Sequence, residues 1–168
     1  MTARLAEPKT DVVDVLRRFH SAVADRRGEQ EVVDAVATFA REMFGAASVT
    51  VNHMDHARGH YRSVVNLGHL GPGESLHPAD ETHGFADYPW TTMALLAGRG
   101  YRSHLSDPDC PVEDQQLLRR LGKPACLGAP IRRHGTVMGE LWLSRDEPFA
   151  DRDVDLLTAL GAATARYL

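Results

Sequence analysis

The chain has 168 residues, 43% hydrophobic and 25% charged, a balance that suits one folded domain with its own core. Its net charge is −4 and its basic residues form no stripe, so neither nucleic acid nor an anionic membrane is an expected partner. No run approaches ~20 apolar residues and the N-terminus has no apolar signal core, so neither a membrane span nor export is expected. Cys110 and Cys126 form no CxxC pair, which fits a reducing, cytoplasmic setting.

Residues 1–9 are polar and read as a flexible N-terminus; residues 10–168 read as a single domain. A first helix begins with Thr10 as N-cap, and Val12, Val13, Leu16, Phe19 and Val23 follow a helical period. Gly28 interrupts it. A second helix carries Val32, Val33, Val36, Phe39, Ala40 and Phe44 on one face, and Gly45 suits its end. The period then changes to two. In AASVTVNHMD, Val49 and Val51 alternate with Ser48, Thr50 and Asn52, and HYRSVVNLG reads as the returning strand of a hairpin.

Residues 68–90 form a long loop rich in Gly, Pro and His, of the kind that is usually functional or disordered. TTMALLAGRG predicts a short helix ending at Gly98 or Gly100, and YRSHLSD a short strand. PDCPVEDQQLLRRLGK predicts a helix with Pro111 in its first turn and Gly122 at its end. A second hairpin follows over ACLGAPIRRHGTVMGELWLSRD, turning at RRHG. Val137, Gly139, Leu141 and Leu143 are assigned to one face, Met138, Glu140 and Trp142 to the other. The last helix is capped at Asp151 and buries Val154, Leu157, Leu160, Ala163 and Tyr167.

The stretch LGAPIRRHGTVMGELWLSRDEPFADRDVDLLTALGAATARYL resembles the C-terminal part of a GAF domain. The carrying residues are Pro130, Gly135, Gly139, Phe149, Asp151, Asp153, Leu156 and Leu157. VVDAVATFAREMFGAASVTVNHMD resembles the helix-then-strand opening of the same family, so the likeness runs over about residues 12–168. The stretch from Tyr101 to Ile131 is similar to GAF modules of actinobacterial signalling proteins. The resemblance implies an α+β, GAF/PAS-like fold: a central antiparallel sheet of five or six strands, terminal helices on one face, and a pocket roofed by loop and short helices on the other. It also implies a sensory role. Ser48, Thr50, Asn52, Tyr88, Trp90, Arg102, Glu140 and Trp142 are then the candidate pocket residues, the aromatics to stack on a flat ligand and Arg102 to pair with an anionic group.

The histidine-rich tip HMDHARGH raises the question of a metal. On a strand, His53 and His56 point to opposite faces; a His53–Asp55–His60 cluster across the hairpin is the arrangement left open. No metal site is expected. His69, His77 and His83 lie on the long loop, free to converge on the pocket. No motif selects a haem ligand, and the cofactor is unknown. Cys110 sits at a predicted helix N-terminus, which favours a thiolate, but Asp107, Asp109, Glu113 and Asp114 oppose ionisation. Cys126 reads as core. The Asn-Lys-Phe-Asp-Glu signature of cyclic-nucleotide GAF domains is absent, as are the phytochrome attachment signature, a P-loop and a GxSxG elbow.

Three functional readings follow. The first is a non-catalytic module that senses a small molecule and passes the signal through its terminal helices, as a homodimer or to an output partner. The second is a cysteine-dependent enzyme of the free methionine sulfoxide reductase type; the third, a dimerisation module with a vestigial pocket. With no output domain after Leu168, the chain is expected to act by association or to be an excised domain.

Overall fold

The structure is a computed structural model, and it describes residues 11–168. The expectations for residues 1–9 and for Thr10 lie outside these residues. Asp11 caps the first helix, α1 (Val12–Val23), its carboxylate accepting from the Val13 amide at 3.0 Å. The buried stripe of α1 is Val15, Phe19 and Val23, a spacing of four. Val12 and Val13, expected on it, stand 43% and 70% exposed on the first turn, because the buried stripe runs through Val15, Phe19 and Val23 instead. Helix α2 (Glu29–Met43) buries the predicted face from Val32 to Ala40, and Phe44 is buried just after it.

Six strands follow: β1 (Ser48–Asp55), β2 (His60–Gly68), β3 (Thr82–Gly84), β4 (Tyr101–His104), β5 (Ala125–Arg133) and β6 (Thr136–Arg145). They form one antiparallel sheet in the order β3-β2-β1-β6-β5-β4. Helices α3 (Pro89–Leu96) and α4 (Val112–Leu121) flank β4, and α5 (Asp151–Thr164) closes the chain. α4 ends as expected at Gly122, whose φ of 65° is the left-handed conformation that glycine accepts without cost. The cap of α5 is Ala150 rather than Asp151: the Asp153 carboxylate reaches back to accept from the Ala150 amide at 2.9 Å.

The sheet has two unlike faces. On one, α1, α2 and α5 enclose the main core, with Val49, Val51, Val65, Leu127, Leu141 and Leu143 beneath Phe19, Val36 and Leu157. On the other, a smaller cluster of Met54, Tyr61, Leu95, Tyr101, Leu118, Cys126, Val137 and Trp142 lies under a roof made by residues 69–81, α3 and α4. Two bulges decide which residues meet which face. The β1–β2 register slips between Val51 and Asn52, so Ser63 and Asn66 both face the roof while Val65 enters the main core. The β5–β6 register slips between Ile131 and Arg132, pairing Arg132 with Val137 and leaving Met138 unpaired. Strict alternation therefore fails there: Val137, expected beside Leu141 and Leu143, packs in the roof-side cluster instead.

The long loop is partly strand. Thr82–Gly84 adds β3 to the edge of β2, and the rest is pinned by backbone bonds from Ser63 to Glu81 and from Asn66 to Leu76. No helix among the described residues is long and apolar enough to cross a membrane.

Candidate functional site

The roof-side face carries short polar side chains because β1 alternates: Val49 and Val51 turn to the helices, and Thr50 and Asn52 turn away. β6 continues the row with Glu140 opposite Asn52 and Trp142 opposite Thr50. These four residues line a cavity of about 50 Å³ between sheet and roof. Tyr61, Tyr101, Asp114, Thr91, Glu74, His83 and Tyr88 complete its walls with Leu117 and Leu121. The space holds water-sized molecules and is smaller than the ~300 Å³ and upward of typical metabolite pockets.

Two buried carboxylates stand in it. Glu140, 4% exposed, accepts from the Asn52 amide at 2.9 Å and from the Tyr101 hydroxyl at 2.6 Å. Burial pushes its pKa up to about 7, against the lowering effect of those two donors, and the nearby charge of Asp114 adds to the rise. Asp114, 3% exposed on the first turn of α4, accepts from Ser103 at 2.6 Å and Thr91 at 3.2 Å, and burial raises its pKa as well. The Tyr101 hydroxyl is raised by burial and then by Glu140, so it stays a proton donor. A third network joins sheet and loop: Thr50 donates to Asn66 at 2.7 Å, and Asn66 donates to Glu81 at 2.9 Å. Every buried side-chain nitrogen and oxygen among the described residues has a partner.

Lys123, 5% exposed, ties the roof to the sheet. Its ammonium donates to both oxygens of Glu74, at 2.8 and 3.0 Å, and lies 5.3 Å from the centre of the Trp142 ring. Glu74 also accepts from the Gly71 amide, which folds the loop back on itself.

Of the candidates read from sequence, Thr50, Asn52, Tyr88, Glu140 and Trp142 are brought together here. Ser48 shares their face but bonds to Ser144 at 2.6 Å at the end of the row, outside the cavity. Arg102 is on the opposite side of β4 from Tyr101 and Ser103, where it donates to Asp151 at 2.8 Å at the start of α5. Trp90 is 45% exposed on the outside of α3, its ring edge-on to Tyr101 at 5.6 Å. Tyr61, Ser63, Asn66, Tyr101 and Asp114 were missed. Tyr101 was within reach, since period two makes it the alternative to Arg102; Ser63 and Asn66 depend on a bulge that leaves no mark in the residue types.

The histidines do not converge. His53 is opposite Arg62 and His60 opposite Asp55, while His56 in the turn bonds to the Val137 carbonyl at 2.6 Å. His77 reaches Asp34 on α2, and His83 alone of the loop histidines lines the cavity. Among the described residues, no group of three His, Cys, Asp or Glu side chains is placed to hold a metal. Both cysteines are free and buried. Burial raises each thiol, with Asp114 adding to the effect, so the negative field expected around Cys110 is joined by desolvation.

Solved structures share this architecture. The chromophore-binding domain of Stigmatella aurantiaca phytochrome P1 matches with a TM-score of 0.77 at 14% identity, over 99% of this chain and 63% of that one. This chain thus spans less than two thirds of the phytochrome chain. GAF domains of phosphoenolpyruvate-protein phosphotransferases from Acinetobacter and Coxiella burnetii match with TM-scores of 0.70 and 0.72 at 16% and 15% identity. Each match covers 93% of this chain and 91% of the other. No curated protein matches. The GAF domain family model matches residues 29–168. With that match and this fold, the chain belongs to the GAF domain family, whose members are general signalling and sensing modules.

Proposed function

We propose that the protein is a non-catalytic sensor in which a small molecule enters between sheet and roof and the change is passed to the terminal helices. The observation that carries this reading is the roof-side cavity, where polar groups of β1 and β6 and four aromatic rings line a space of about 50 Å³ beside the buried Glu74–Lys123 pair. A surface built only for stability has no reason to bury two carboxylates with neutral partners. The route outward is short. Tyr101 faces the cavity, and its neighbour Arg102 holds Asp151 at the head of α5. Helix α5 lies behind β5 and meets α1, where Tyr167 bonds to His20 and packs edge-on to Phe19. Raised thiols weigh against a cysteine nucleophile. The same helical layer, shared by both ends of the domain, supports a homodimer or an output partner docking there, in a cytoplasmic setting.

Native mass spectrometry of the freshly purified protein tests both parts. The expected spectrum shows a dimer carrying a small molecule that leaves on unfolding. A bare monomer mass, with no thermal shift across common metabolites, overturns the reading.

A further inference from the structure

The charge of the cavity narrows its ligand, given that this cavity is the sensing site. Glu74, Asp114 and Glu140 line it, with no arginine or lysine among the described lining residues. The cation beside it, Lys123, is already engaged by both oxygens of Glu74. Asp114 and Glu140 receive only neutral donors: Thr91 and Ser103 for the first, Asn52 and Tyr101 for the second. Each carboxylate oxygen keeps a further lone pair. Tyr61, Tyr88, Tyr101 and Trp142 supply aromatic walls, whose negative faces attract cations.

We propose that the cavity binds a small, flat, cationic nitrogen compound, an amidinium, guanidinium or protonated aromatic amine, whose N–H groups bond to Glu140 and Asp114 between the aromatic rings. Such a ligand supplies the positive charge that these two carboxylates lack. Phosphates and carboxylates meet the opposite field. The ligand is larger than the cavity of about 50 Å³, so the Glu74 segment moves outward on binding.

Three probes of one shape test this: benzamidinium, benzamide and benzoate. Trp90→Phe leaves Trp142 as the single tryptophan, so its fluorescence reports on the cavity. In that background benzamidinium is expected to shift the Trp142 emission and raise Tm, with benzamide weaker by about ten-fold and benzoate inert. Glu140→Gln, which keeps partners for Asn52 and Tyr101, is expected to weaken benzamidinium about ten-fold and leave benzamide unchanged; Asp114→Asn acts alike. Benzamidinium stays charged between pH 6 and 8, whereas Glu140 gains its charge across that range. Tyr61 from β2, Tyr101 from β4, Cys126 from β5 and Asp114 from α4 face it there, and His83 from β3 and Glu74 from the roof line the same cavity. Affinity is therefore expected to rise about ten-fold from pH 6 to pH 8, and to rise distinctly less in the Glu140→Gln protein.

Benzoate binding more tightly than benzamidinium, and losing its hold in Lys123→Met, overturns the inference in favour of an anion that replaces Glu74. Silence from all three probes, or a co-purified molecule that is anionic, overturns it as well. In the benzoate and anionic-molecule cases the sensing reading survives, because that reading fails only on the empty native spectrum and the absent thermal shift.

Discussion

Glu140 is an acid almost wholly buried in the cavity wall, and its titration links the site to stability. Its folded pKa of about 7 lies above the ordinary 4.5, so between these values the folded chain holds a proton that the unfolded chain has released. Stability is then greatest below pH 4.5, as far as this residue is concerned, falls as pH rises towards 7 and levels off above it. The full effect is about 3 kcal/mol at most. Urea unfolding at pH 5, 6, 7 and 8 is expected to show that decline and Glu140→Gln to flatten it; an unchanged slope in the variant assigns it to other groups. At this scale Thr50, Asn52, Glu140 and Trp142 were legible, because period-two alternation beside apolar Val49, Val51, Leu141 and Leu143 marks which way they point. Arg102 was not, because a four-residue strand with polar side chains at three successive positions, Arg102, Ser103 and His104, does not say which parity is buried.

Element against element, the close approaches are made by glycines. Gly161 brings α5 onto β5 so tightly that a Cβ there would stand 2.3 Å from the Pro130 carbonyl oxygen. Backbone cannot yield as a side-chain tip can. Gly161→Ala is expected to push α5 off the sheet and lower stability by about 2 kcal/mol, read as a reduced urea midpoint; an unchanged midpoint means the two elements are not packed so closely. Gly139 does the same between β6 and β1, where a Cβ would lie 2.2 Å from the Asn52 carbonyl oxygen, and Gly128 leaves room for the Tyr101 ring. The two hairpins and the long helices were readable from period and turn residues. β3 was not: three residues, Thr82 to Gly84, carry no periodicity, and only the edge of β2 makes them a strand. The two bulges escaped for a similar reason, since either neighbour of Val64 or Met138 would satisfy the same composition.

For the molecule as a whole, one sheet separates a dry core from a polar chamber. The helices α1, α2 and α5 fill the first with aliphatic side chains, and the roof closes the second with charges and rings. The family and its layered arrangement showed through in the order of elements, a property spread over most of the chain. The depth of the chamber did not, because it depends on how far residues 69–81 fold inward, and that is settled by Glu74 meeting Lys123 across the roof.

That buried pair has a consequence in time. A chamber of about 50 Å³ has no room for a guest the size of benzamidinium until the roof moves, so binding waits for an opening whose rate belongs to the protein. The observed rate of benzamidinium uptake in stopped flow is expected to reach a plateau with rising concentration instead of climbing without limit. Removing both partners together, as Glu74→Gln with Lys123→Met, leaves no stranded charge and props the door ajar. The plateau then rises, and because a larger share of molecules is ready to receive the guest, the apparent affinity tightens as well. A linear dependence with no plateau in the parent protein places the doorway elsewhere.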